Sequence, residues 1–256
     1  MSPEARAAAI GLLHGPAELL PISSSGHVTL VPWLVGWDDP AGDPAVRKAF
    51  EVVLHLGTAA ALALSLRGIG RPRAGVLVAS LAPPAVVGFA LERPIEERLG
   101  TPATIAVGLV VGAVAMALAD RFGADDRRAG DADWRDGLAL GFAQASALVP
   151  GVSRNGATLA AARARGFGRG EADRLSWQVA VPVIAGASAL KGLRLARRGV
   201  PAGTGRAFAA GAVSAFVSTL LAARVIPRGR PVAGYSAYRV GLAGLVAGKL
   251  WKTRAR

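Results

Sequence analysis

Two segments of this chain carry polar side chains inside otherwise apolar sequence. The first reads Gly11-Leu-Leu-His14-Gly-Pro-Ala-Glu18-Leu-Leu-Pro21-Ile-Ser23-Ser24-Ser25-Gly26-His27. The second reads Gly141-Phe-Ala-Gln144-Ala-Ser-Ala-Leu-Val-Pro150-Gly151-Val-Ser153-Arg154-Asn155-Gly156-Ala-Thr158. Positions 11 and 141, 14 and 144, 23 and 153, and 26 and 156 share one offset of 130. Each segment breaks at proline and resumes through a Ser-x-x-Gly turn. The chemistry on offer is that of phosphate. The Arg154 guanidinium, in a glycine-containing turn beside Ser153, Asn155 and Thr158, can cradle an anion with charge and backbone N–H groups. Helices restarting after Ser23 and Ser153 would aim positive dipole ends at the same ligand. Plain N-capping accounts for the two serines. It leaves an arginine and a glutamate in apolar surroundings unexplained, and such residues mark function.

Acid–base groups surround the first break. Glu18 can act as a general base, a cation ligand or the ion partner of Arg154. His14 stands four residues earlier, on the same helix face. His27 follows the serine turn, three residues after Ser24. A nucleophilic serine needs such a base within hydrogen-bond reach. His55 lies on the first full apolar span, where it faces the same cavity or bonds a neighbouring helix. Arg239 interrupts the last span, and one reading has it snorkel to the membrane interface.

The elements that position these groups are those of a membrane protein. The chain has 256 residues, 52% of them hydrophobic, and a mean hydropathy of +0.40. Its 33 glycines and 16 prolines are ordinary for membrane helices. Without cysteine there is no disulfide and no thiolate metal site. The net charge of +13 is spread as arginines between apolar runs. That pattern suits loops facing anionic headgroups and argues against a nucleic-acid partner. The apolar run over residues 7–13 is too short for a signal peptide and lacks a basic leader, so it is read as mature structure.

Six runs approach the roughly 20 residues that a span requires: residues 52–66, 74–91, 103–119, 175–190, 207–223 and 231–248. The motif segments, 5–34 and 137–162, are split by their breaks and read as re-entrant helical hairpins. Irregular backbone at membrane depth survives only where protein or a wet cavity surrounds it. The expected fold is an all-α integral membrane protein of about six transmembrane helices plus two hairpins. Three spans separate the two copies, so the second half enters from the opposite side, giving an inverted-topology repeat. A single domain covers 1–256, with halves over about 1–120 and 136–256 and a polar loop over 121–135. A homo-oligomer is compatible with this layout.

The residues Glu18 to His27 resemble the first signature of the bacitracin-resistance type undecaprenyl-diphosphate phosphatases. Pro150 to Thr158 is similar to their second, usually Pro-Gly-x-Ser-Arg-Ser-Gly-x-Thr. Phe50-Glu-Val-Val-Leu-His-Leu-Gly-Thr58 resembles a Phe-x-Val-Val-x-Gln-Leu-Gly segment between them. The resemblance runs in order over nearly the whole chain. It implies a multi-pass protein of the bacterial plasma membrane. The implied reaction converts undecaprenyl diphosphate, a polyprenyl diphosphate lipid, to undecaprenyl phosphate and inorganic phosphate, recycling the cell-wall lipid carrier. It implies catalytic roles for Glu18, Ser24 and His27, with His14 at the position of a family acid. Phosphate binding falls to Ser153, Arg154 and Thr158, with Ser23 and Asn155 beside them. A divalent cation, Mg²⁺ or Ca²⁺, is implied, with Glu18 as its ligand. Three residues depart from the pattern: His14 replaces Glu or Gln, Asn155 replaces Ser, and His55 replaces Gln. A hard cation prefers oxygen donors, so His14 is read as a titrating base that lowers the demand for such an ion. The rival reading is a polyprenyl-phosphate transporter or binding protein that does not hydrolyse its ligand.

Overall fold

The computed structural model describes residues 1–37, 44–65, 70–227 and 229–254. They form ten α-helices: α1 Pro3–Leu19, α2 Ser24–Val35, α3 Pro44–Ser65, α4 Ala74–Leu99, α5 Pro102–Phe122, α6 Trp134–Ser146, α7 Arg154–Ala164, α8 Arg169–Arg198, α9 Gly205–Val225 and α10 Ala233–Arg254. A single 3₁₀ turn, Ala129–Asp131, lies before α6. There is no named strand among the described residues.

The helix limits follow from capping chemistry. Thr101 closes a reciprocal capping box with Thr104, and Pro102 fills the first turn of α5, where its missing N–H costs nothing. The Asp133 carboxylate accepts from the Arg135 and Asp136 amides and opens α6. α4 stays helical through Pro83 and Pro84.

Among the described residues, five helices have segments long and apolar enough to cross a membrane: Ala45–Ser65, Ala74–Ile95, Pro102–Phe122, Arg169–Arg198 and Gly205–Val225. Each corresponds to an expected span. Residue 66, the last of the first expected span, lies outside the described residues. The sixth expected span is α10, a helix of 22 residues outside that apolar set; it carries Arg239, Lys249, Lys252 and Arg254. Val78, Val86 and Phe89 on α4, and Val107 and Val111 on α5, are exposed. Contiguous apolar faces left open in this way suit lipid chains rather than water. The chain is an all-α, multi-pass integral membrane protein.

The helices gather into two compact units. The first holds α1, α2 from His27 on, α3, α8 from Val181 on, and α9; in it α9 packs along α1 and α3. Its core includes Ile10, Val28, Leu54 and Ala215. The second holds the break at Leu20–Gly26, α4 to α7, α8 as far as Ala180, and α10. There α4 packs on α6, α5 on α10 and α7, and α6 on α7. Val76, Leu140, Phe167, Leu175 and Val179 belong to its core. An offset of 130 carries α1 onto α6 and α4 onto α9, so α1 on α9 and α6 on α4 are one pairing built twice. Small residues allow the close approach each time. A Cβ on Gly11 would overlap the Gly211 carbonyl oxygen, and a Cβ on Gly141 would come within 2.8 Å of the Pro83 ring.

In the first turn of α6, just after the polar loop, Asp136 is fully buried. Arg127 and Arg165 both donate to its carboxylate, at 2.7 Å for the shortest contact of each. Burial opposes its ionisation, but these bonds and the Asp133 amide outweigh that and hold its pKa down to about 2. Arg163 binds Asp120 and Asp125 and donates to the carbonyls of Gly123, Ala124 and Phe167, which fixes the end of α7.

Candidate active site

The two helix breaks repeat in detail. Ser23 has φ 76° and Ser153 has φ 68°, and among the described residues these are the non-glycine residues with positive φ. Each Oγ accepts from the amide three residues on, Gly26 at 3.3 Å and Gly156 at 3.2 Å. An ordinary N-cap sits in the β region. A serine at positive φ costs about 1–3 kcal/mol and persists only where its surroundings enforce it, which is common at ligand sites. The structure therefore modifies the plain-cap reading: both serines cap, in a strained conformation, at matching positions. Gly151 precedes the second turn with φ 96°.

Within the second unit, Arg239 joins the two breaks. It is fully buried, which overturns the snorkelling reading. Its guanidinium donates to Pro21 O at 3.3 Å, and to Gly151 O and Val152 O at 2.9 Å each. It also reaches Gly108 O at 3.3 Å. Carbonyls freed where α1 and α6 end would otherwise stand unpaired in an apolar environment. A planar group with five donors satisfies several at once. Gly112 and Gly156 make room, since a Cβ on either would overlap the guanidinium.

The first turn of α7 is braced from α8. Ser176 donates to Asn155 Oδ1 at 2.9 Å, and its hydroxyl lies 2.6 Å from that of Thr158. Thr158 also donates to the Arg154 carbonyl at 3.0 Å. Ser153, Asn155 and Thr158 are all buried, and these bonds shape the turn. Arg154 is half-buried, with its guanidinium carbon 5.6 Å from the centre of the Trp177 ring. Stacking on an aromatic face limits the rotamers of the guanidinium. Ser24 is the first residue of α2 and half-buried, beside Ser25. The expected phosphate-binding serines and Arg154 thus fall in one unit. Ser176, Trp177 and the caging role of Arg239 escape sequence reasoning. The two α8 residues lie in no motif, and Arg239 bonds carbonyls that only the fold brings near it.

In the first unit, His14, Glu18 and His55 converge, with one ligand atom from each within 4.8 Å of the others. The imidazole rings of His14 and His55 meet edge to face at 4.7 Å between centroids. His55 Nε2 lies 4.0 Å from Glu18 Oε2. His14 and Glu18 are buried, and His27 is fully buried in α2. Behind His14, Nδ1 is 3.0 Å from Thr58 Oγ1, and Thr58 is 3.2 Å from Thr219 Oγ1. Thr219 and Thr58 had no signal of their own, although Thr58 ends the Phe50–Thr58 segment. The ion implied by resemblance, Mg²⁺ or Ca²⁺, takes six or more oxygens. This cluster offers two imidazole nitrogens and one carboxylate, a donor set that does not fit a hard cation.

The fold and the paired breaks define a multi-pass membrane protein built on an internal repeat. The family described as bacitracin resistance protein BacA matches residues 7–245, and the chain belongs to that family. A Geobacter sulfurreducens protein named undecaprenyl-diphosphatase is 39% identical over 246 residues, covering 87% of this chain and 89% of that protein. Proteins of the same name from Pelobacter propionicus and Moorella thermoacetica are 36% and 35% identical. The Pelobacter alignment covers 93% of both chains; the Moorella alignment covers 97% of this chain and 98% of its own.

Proposed function

We propose that this protein hydrolyses undecaprenyl diphosphate to undecaprenyl phosphate and inorganic phosphate. Its family and the activity for which its relatives are named support that reading. The structural observation that carries it is the repeated strained serine turn, at Ser23 and Ser153, with Arg154 opening α7. Arg154 grips the terminal phosphate by charge and paired N–H donors. The first-turn amides of α2 and α7 add their dipoles. Ser24 attacks the terminal phosphorus, or orients the water that does, and the P–O bond to undecaprenyl phosphate breaks. His27, three residues on in α2, takes the proton and returns it to the departing oxygen. If Ser24 is the nucleophile, water then cleaves the phosphoserine and releases phosphate. Positioning and charge neutralisation do most of the work in phosphoryl transfer. Glu18 and His14 gather with His55 in the first unit, and Ser24, His27 and Arg154 carry this step without them. The test is phosphate release by purified protein from undecaprenyl diphosphate. Binding of the lipid without release would favour the transporter reading.

A further inference from the structure

We infer that His14, His55 and Glu18 form a site for a divalent transition-metal ion of the borderline class, such as Zn²⁺ or Co²⁺. The hydrogen-bond chain behind the cluster carries the argument. The Ala215 carbonyl can only accept, so Thr219 donates to it, at 2.6 Å. Thr219 has then spent its one proton, so it accepts from Thr58. Thr58 in turn has spent its own, so it accepts from His14 Nδ1–H. His55 Nδ1 faces the Glu51 carbonyl at 2.8 Å, which likewise requires an N–H. Each Nδ1–H is thus held by an outer acceptor, as in metal-binding histidines, and in the neutral ring this leaves Nε2 as the lone pair for a metal.

The two Nε2 lone pairs and the Glu18 carboxylate then point into one small region. His14 Nε2 is buried and has no hydrogen-bond partner. Two imidazoles and a carboxylate gathered this closely form a pocket that one shared cation can fill. Two imidazoles and one carboxylate are a donor set used for catalytic zinc and non-haem iron. Ligand atoms on one tetrahedral zinc lie about 3.3 Å apart at bond lengths of about 2.0–2.1 Å. Modest side-chain rotation from the present 4.0 Å between His55 and Glu18 closes that gap. Three protein ligands leave a position open for water or a phosphate oxygen. The inference does not depend on the hydrolase reading, because metal uptake is read without substrate.

The test uses tag-free, detergent-purified protein, stripped with chelator and dialysed against Zn²⁺, Co²⁺ or Mg²⁺. The expected result is one Zn²⁺ or Co²⁺ retained per chain by elemental analysis, with a visible Co²⁺ ligand-field band and no retained Mg²⁺. His14→Gln and His55→Gln should each lower Co²⁺ affinity by at least the ~10–100-fold that loss of an outer-shell partner costs. Thr58→Val should lower it within that range. His14→Glu should move the preference toward Mg²⁺. Wild-type protein that retains no transition metal, or histidine variants that bind Co²⁺ as tightly as wild type, would overturn the inference.

Discussion

At the scale of single residues, the site depends on groups whose shape matters as much as their charge. Arg154 presents a planar, two-pronged donor against the Trp177 ring. Lysine carries the same charge but neither the fork nor the stacking. Arg154→Lys should therefore lower kcat/KM for phosphate release by about 100-fold or more, the loss seen when one preorganised donor is removed. Near-normal turnover would show that Arg154 is structural. The strained serines make a second prediction. Ser153→Gly relieves φ 68° and should cost only a few tenths of a kcal/mol, whereas Ser153→Ala loses the cap, keeps the strain and should cost at least ~1 kcal/mol. Thermal unfolding in detergent ranks the two, and the reverse order would contradict this account of the turn.

At the scale of elements, packing and loop electrostatics decide stability. The α1–α9 contact closes on Gly11, where a Cβ would also stand 2.9 Å from Ser214 Cβ. Gly11→Ala should destabilise the first unit by about 1–3 kcal/mol, the usual cost of overpacking, seen as a lower Tm. At the start of α6, the folded pKa of Asp136 lies below its ordinary value of 3.8. Its stabilisation, about 2 kcal/mol, is complete above that value and fades as pH falls from about 4 toward 2. Asp136→Asn should lower Tm at neutral pH and flatten the acid limb of a stability–pH curve. An unchanged acid limb would show that the Arg127 and Arg165 contacts carry no net stabilisation.

At the scale of the whole molecule, much of the fold was legible because apolar length is a coarse, robust signal. Residues 74–91 and 103–119 announce α4 and α5 without any motif. The repeat was legible too, since Gly11 and Gly141 or Ser23 and Ser153 must match wherever two copies build the same close contact and turn. The interleaving of the compact units was not, because pairing α1 with α9 and α4 with α6 depends on contacts far apart in sequence. Most of the company of His14 was not: one of the two readings of His55 placed it at the same cavity, but Thr58 and Thr219 become neighbours only through α3 and α9. Arg239 misled for a related reason, since an arginine in an apolar run looks alike whether it reaches the interface or caps buried carbonyls. The central claim is that this repeat houses a diphosphate hydrolase, and the direct measurement is inorganic phosphate released from undecaprenyl diphosphate by purified wild-type and Ser24→Ala protein. Multiple turnovers by wild type and loss of release in Ser24→Ala are the predicted result; lipid binding with no phosphate released by wild type would contradict it.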